Sequence, residues 1–231
     1  TKESLQAREK LLAQAPGLIN RMGYYFIDRK WQFPGRFVMQ SLLAVYDFLA
    51  GISDHKYYKA NKVLDKFPSL SSNKLTGASY YTDSTVDDAR LVIRVLQDAI
   101  SLGGQAINYV KATKLLKCEH NSQVVGLTLQ DISEQESTSG KQKSIYLKCS
   151  VVINATGAWA DELRQEVVNE QRVRPLRGSH LVIPSIKLPV EDATILLHPE
   201  DKRPVFVFPW EGATVVGTTD LDHQKNLNHE A

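Results

Sequence analysis

Leu5, Leu11 and Leu12 recur at helical spacing among Glu, Lys and Gln in residues 2–14, and Pro16 and Gly17 end the run, so the pattern predicts one amphipathic helix. Residues 22–27 (MGYYFI) are β-like through their aromatics. Residues 37–50 are apolar on nearly every side, which predicts a buried helix with Gly51 as its C-cap. Residues 56–72 read as short helix and loop, and residues 77–82 as a strand ending at Asp83. The clearest helix opens at TVDDARL. Thr85 is placed to cap it, Asp87 and Asp88 suit the positive end of the helix dipole, and Ala89, Val92, Ile93, Leu96 and Ile100 form its apolar stripe. Gly103 and Gly104 stop it.

The second half changes texture. Three β-like runs, 106–117, 123–131 and 144–148, with the polar tip EQESTSGKQK between the last two, predict a small antiparallel meander. The wholly apolar VVI at 151–153 is the kind of strand covered on both faces in a parallel sheet, and a helix over 158–168 follows it. Beyond Pro175 the β pattern returns at 180–183, 193–197, 205–208 and 213–217, separated by Pro, Gly and charged turns. The fold class is α/β in the mixed α+β sense. A βαβ-type piece, 85–170, interrupts a mostly antiparallel sheet with flanking helices built from 1–84 and 171–231.

Composition narrows the function classes. With 42% hydrophobic and 23% charged residues the chain is globular and ordered. The net charge is only +2 and basic residues alternate with acidic ones, so there is no footprint for nucleic acid. Cys118 and Cys149 sit in no CxxC or His-Cys grouping, which predicts two buried free thiols and no metal site. No apolar run approaches the ~20 residues of a membrane-spanning helix. The chain starts without Met in what reads as mid-helix, the look of a piece excised from a longer protein.

Candidate chemistry begins at VVINATGAWAD. An apolar strand that stops on Asn154-Ala155-Thr156-Gly157 and turns at once into a helix lets backbone approach an anionic ligand, with Thr156 as N-cap. Tight packing without a ligand fits the same residues, and neither a G-x-G-x-x-G nor a P-loop motif occurs to decide the matter. In RPLRGSH, His180 follows a Gly-Ser bend at the head of an apolar strand, where it can act as a base or charge stabiliser, or simply bond a backbone carbonyl. His55, His120, His198, His223 and His229 lie in polar contexts that predict surface positions. FVFPW and VVGTTD read as neighbouring strands whose aromatics suit a core, with Thr218, Thr219 and Asp220 as a polar end facing a cleft or capping the strand.

Taken in order, VDDARL with its Gly-Gly stop, VVINATGAWAD, RGSHLVIP, FVFPW and VVGTTD resemble the FAD-dependent glycerol-3-phosphate dehydrogenases, respiratory quinone-linked flavoproteins of the D-amino-acid-oxidase-like superfamily. VYDFLAG and FPSLSSNKLTGASYYTD extend the likeness over nearly the whole chain. The resemblance implies that Ala155, Thr156 and Gly157 contact FAD and that the backbone of Lys111 and Ala112 meets its adenine. It puts His180 near the flavin ring and the substrate carbinol as base or stabiliser, with Thr219 and Asp220 as substrate contacts. The implied reaction oxidises sn-glycerol 3-phosphate to dihydroxyacetone phosphate and passes electrons from FAD to quinone. A glycerol-3-phosphate oxidase using oxygen, or an amine or amino-acid oxidase, is the alternative. Such families begin with a strand, G-x-G-x-x-G and a helix and carry phosphate-binding arginines in later segments, neither of which this sequence contains. It therefore resembles the middle of a subunit, a folded module expected neither to retain FAD nor to turn over alone. For the full-length protein the resemblance implies a homodimer attached peripherally to the cytoplasmic side of a bacterial inner membrane, or to the mitochondrial inner membrane. Residues 21–36 and the apolar helix after them are the candidate surface, although their pattern alone fits a core helix behind a surface loop better.

Overall fold

The computed structural model describes residues 2–51, 53–133, 144–219 and 221–223; the polar tip 134–143, Asp220 and His229 lie outside the described residues. The chain forms two compact units, residues 1–98 with 178–220 and residues 99–177 with 221–231. The sequence pattern put these boundaries at 84/85 and 170/171.

The first unit is built on a seven-stranded sheet in the order β2-β3-β1-β9-β10-β11-β8. Its elements are α1 (Lys2–Gln14), β1 (Ile19–Arg29), α2 (Arg36–Ala50), β2 (Lys56–Lys59), α3 (Ala60–Lys66), β3 (Leu75–Val86) and α4 (Asp88–Ser101). After the second unit's β4 to β7 come β8 (His180–Pro184), β9 (Ala193–Leu197), β10 (Pro204–Trp210) and β11 (Ala213–Gly217). All neighbours pair antiparallel except β1 and β9, which run parallel with Tyr24 opposite Ala193.

Strand alternation sends Tyr25 and Ile27 of β1 to one face, beside Ala78 and Tyr80 of β3, where Val63 and Phe67 of α3 complete the core. The other face of β1 and β3 carries Tyr24, Tyr81 and Asp83, and there α1 and α2 close over it. Arg8 of α1 donates from Nη1 to Tyr46 Oη at 2.7 Å and to Asp83 Oδ1 at 3.0 Å, and the Tyr46 ring meets Tyr81 edge-on. On this face Asp28 is 2% exposed, accepts the Ser79 hydroxyl at 3.1 Å and keeps Oδ1 without a partner among the described residues. Burial pushes its carboxyl up to about 6, against the lowering pull of Ser79 and of the Arg36 charge.

Three expectations are corrected in this unit. Residues 37–50 do form a helix ending on left-handed Gly51, but it is two-faced: Leu43 and Asp47 are buried while Phe37 and Phe48 are 84% and 83% exposed. Being apolar all round does not bury a helix that has a neighbour on one side only. The strand before α4 runs to Val86, because Thr85 is held in the ladder opposite Asn20. The cap therefore passes to Asp87, whose Oδ1 accepts the Arg90 amide at 3.0 Å. His55 is half-buried, its Nδ1 at 2.7 Å from Asp47 Oδ2. Burial alone would raise the Asp47 carboxyl, yet the His55 ring and the amides of Asp54 and His55 hold it below the usual carboxylate range.

The second unit holds the predicted meander, β4 (Val110–Lys117), β5 (Val124–Asp131) and β6 (Ser144–Lys148), in that spatial order. It also contains α5 (Ala160–Arg164) and the two-stranded pair of β7 (Leu176–Arg177) with β12 (Leu221–Asp222). Glu166, just past α5, ties the edge of β4: its Oε2 accepts the Leu115 amide at 3.0 Å. Asp161 is buried and accepts the amides of Arg172 and Val173, the latter chiefly holding its carboxyl below the usual range, and so pins the chain after α5 back onto the helix. Here too the structure departs from expectation. Residues 151–153 join no sheet, with Val151 and Ile153 largely exposed, since a parallel strand needs flanking strands that the described residues do not supply. The helix after them is a 3-10 turn, Gly157–Trp159, leading into five α-helical residues, where the sequence pattern ran to 168. Cys118 and Cys149 are free as expected but half-buried.

Candidate active site

The half of the large sheet that α1 and α2 leave uncovered forms the site. Because opposed residues in an antiparallel ladder share a face, His180 of β8, Gly217 of β11 and Phe206 of β10 lie in one row, and Val182, Val215 and Phe208 in the next. Phe206, Phe208 and Trp210 alternate along β10 and so floor a cleft of about 540 Å3. Tyr24 of β1, the β3 end at Ser84 and Thr85, and Asp88 at the start of α4 complete its walls, with His180 at one edge. The alternation FxFxW marks one strand face, and its aromatics, which suit a core by composition, instead line the hollow.

The seat of His180 is specific. A Cβ on Gly217 would stand 2.5 Å from the imidazole Cδ2 and 3.0 Å from Cγ, so the ring lies directly on the glycine. The bend before it is equally tight, since a Cβ on Gly178 would meet the Thr218 hydroxyl at 2.5 Å. Thr219 accepts the Ser179 amide on its hydroxyl at 2.9 Å and donates its own amide to the Ser179 carbonyl at 3.3 Å. The structure thus brings His180 and Thr219 together through Ser179. Asp220 lies outside the described residues. Next to the lining residues Asp88 and Trp210 in the chain, Asp87 and Glu211 are bridged by Arg90 at 3.3 Å and 3.4 Å.

The flavin residues that the resemblance implies fall in the second unit. Lys111 and Ala112 occupy β4, an edge strand, opposite Gln130 and Leu129, immediately before a bulge at Thr113. Ala155, Thr156 and Gly157 form an exposed turn, with Gly157 at φ 58° and open space where its Cβ would be. Thr156 does not cap the helix with its side chain; its hydroxyl and amide both go to Asn154 Oδ1, while Asn154 Nδ2 reaches the Ala160 carbonyl at 2.8 Å. Asn154 shapes the turn through its carboxamide, a role its place in the sequence does not announce, and residues 155–157 stay exposed beside it. Five helical residues make no dipole of consequence, so what a nucleotide would meet here is an exposed turn with clear space at Gly157, which fits an FAD contact.

The larger hollow of the first unit, about 960 Å3, lies at the C-terminal end of β1 and holds none of these residues. It is lined by Arg29, Lys30, Lys74 and Lys202 with Trp31 and Phe33.

The sequence model of the DAO family, FAD dependent oxidoreductase, matches residues 1–231. The aerobic glycerol-3-phosphate dehydrogenase of Bacillus subtilis strain 168 is 34% identical over 200 residues, covering 84% of this chain and 34% of that protein. An alpha-glycerophosphate oxidase of Streptococcus pyogenes serotype M1 is 36% identical over 202 residues, covering 84% and 32%. The chain spans about a third of the length of these curated relatives. Among solved structures, glycerol-3-phosphate dehydrogenase from Bacillus halodurans complexed with FAD superposes with a TM-score of 0.71 at 24% identity, over 96% of this chain and 38% of that one. Glycine oxidase from Bacillus cereus does so with a TM-score of 0.68 at 20% identity, over 97% and 57%. At these identities the two structures establish a common fold.

Proposed function

Because the chain belongs to the FAD dependent oxidoreductase family, we propose that the full-length protein oxidises the C2 hydroxyl of sn-glycerol 3-phosphate to dihydroxyacetone phosphate and passes the electrons from FAD to quinone. Relatives named for this substrate, matching 84% of the chain, support it. The observation that carries the reading is the cleft, where an imidazole fixed on Gly217 stands at the edge of an aromatic floor. His180 takes the hydroxyl proton at a ring nitrogen, or stabilises the charge left on oxygen. Tyr24, Phe206, Phe208 and Trp210 keep water from the carbinol carbon. The backbone of Ala155, Thr156 and Gly157 supports the flavin nucleotide, and that of Lys111 and Ala112 its adenine. FAD, when bound, supplies the two-electron oxidation.

Glycerol 3-phosphate added without oxygen is expected to bleach the flavin of the full-length protein, and glycine is not; bleaching by glycine alone would move the protein among the amino-acid oxidases. The oxidase relative, as similar as the dehydrogenase, favours oxygen as a second reading of the acceptor. Peroxide formed at the rate of substrate oxidation on readmission of air would establish it over quinone.

We place the full-length protein at a membrane surface, peripherally. No helix among the described residues is long and apolar enough to cross a membrane. Support comes from the outer stripe of α2, Val38, Leu42, Val45 and Leu49 beside Phe37 and Phe48, reached through the exposed Trp31 and Phe33 and flanked by Arg29, Lys30 and Arg36. Changing Phe37 and Phe48 together to serine removes two exposed aromatics without touching the core. The pair is expected to lower the fraction floating with phosphatidylglycerol vesicles by roughly tenfold or more. Undiminished flotation would remove α2 from the contact.

A further inference from the structure

We propose that Thr219 is a positioning residue that sets the His180 ring, acting through Ser179. The inference rests on the reading of His180 given above and extends it to a residue that does no chemistry itself. Three observations converge on it. Thr219 faces Ser179 with opposed bonds, its hydroxyl accepting the Ser179 amide at 2.9 Å and its amide donating to the Ser179 carbonyl at 3.3 Å. Such a pair fixes the peptide planes on both sides of Ser179, and the next Cα is that of His180. The two neighbouring glycines are packed too closely to carry a side chain. A side chain at 178 would strike the Thr218 hydroxyl, and one at 217 would strike the imidazole. Finally, His180 and Ser179 are exposed, so no surrounding core holds the ring. Its placement has to come from the backbone that carries it and the glycine beneath it.

The hydroxyl is the part of Thr219 that distinguishes this role. Valine has the same branched shape and lacks the hydroxyl that accepts the Ser179 amide, while serine keeps the hydroxyl and loses a methyl. Because Ser179 is exposed, water can replace the lost acceptor, so Thr219→Val leaves thermal melting essentially unchanged. What it releases is the bend, and with it the imidazole. A misplacement of the order of 1 Å in a reacting group costs up to about 100-fold in rate. In the full-length enzyme Thr219→Val is therefore expected to lower kcat by roughly 10- to 100-fold, with little change in KM for glycerol 3-phosphate, and Thr219→Ser to restore most of it.

A second measurement needs no turnover. In the 231-residue chain, the ring resonances of His180, assigned by their loss in His180→Gln, are expected to broaden or shift in Thr219→Val and to return in Thr219→Ser. If the resonances respond and kcat does not, Thr219 positions the ring as proposed and the failure lies with the catalytic reading of His180. Unmoved resonances overturn the proposal. So does equal impairment of the valine and serine variants, which would exclude the hydroxyl as the working part. A raised KM with unmoved resonances would make Thr219 a substrate contact instead.

Discussion

A His180→Gln variant of the full-length enzyme is expected to lose about 10²- to 10⁴-fold in kcat while keeping its flavin and most of its affinity for glycerol 3-phosphate, the range by which a positioned proton acceptor speeds such a step. Glutamine keeps polarity and a comparable reach but cannot take a proton. Gly217 stays beneath the side chain, and the exposed position leaves the sheet undisturbed, so a loss of rate would report on chemistry rather than folding. Stopped-flow bleaching of the flavin under substrate isolates the step. If bleaching ran at the parent rate, the proton would have another acceptor. The carboxylate of Asp88, which lines the same cleft, would be the next group to change.

The second large effect concerns stability. Asp28 sits at the end of β1 with its carboxyl pushed up to about 6 from an ordinary value of 3.8. The folded protein therefore holds a proton between about pH 4 and 6 that the unfolded chain has released, and stability must fall as pH rises through that window. A shift of about two units corresponds to roughly 3 kcal/mol. Asp47 and Asp161, held below the usual range, act in the opposite direction, adding stability that is lost as the solution becomes acidic. The parent profile is thus a sum, and the difference between parent and Asp28→Asn isolates one group. Urea unfolding at intervals from pH 4 to pH 7.5 is expected to show the asparagine variant gaining on the parent by up to about 3 kcal/mol as pH rises. A difference that stays flat across those pH values would mean that Asp28 is solvated or paired in solution.

Local signals were legible in this sequence wherever one segment settles its own structure. The helix at 2–14 with its Pro-Gly stop, the left-handed Gly51, the Gly-Gly end of α4 and the three strands of the meander all appear where periodicity and turn residues put them. What was not legible depends on a distant partner. Thr85 has the chemistry of a cap, but Asn20 claims it for the ladder and Asp87 takes the role. The α2 residues are apolar on every side, and only the position of α1 and β3 decides that Leu43 faces inward and Phe48 outward. VVI has strand composition, and among the described residues no strand pairs with it. The site follows the same rule. His180 could be picked out because Gly-Ser-His at a strand head is unusual on its face. The clamp of Thr219 on Ser179 requires the register of β11 against β8, and no spacing along the chain announces it.

The parallel pairing of β1 with β9 joins residues about 170 positions apart along the polypeptide. A ribosome therefore delivers α1 to α4 and the whole meander before the strands that finish the large sheet leave the exit tunnel. During that interval nascent β1 has β3 on one side and a bare hydrogen-bonding edge on the other, the kind of surface to which stray strands add. Vectorial synthesis thus leaves this fold open for longest at the edge where β9, β10, β11 and β8 must later dock.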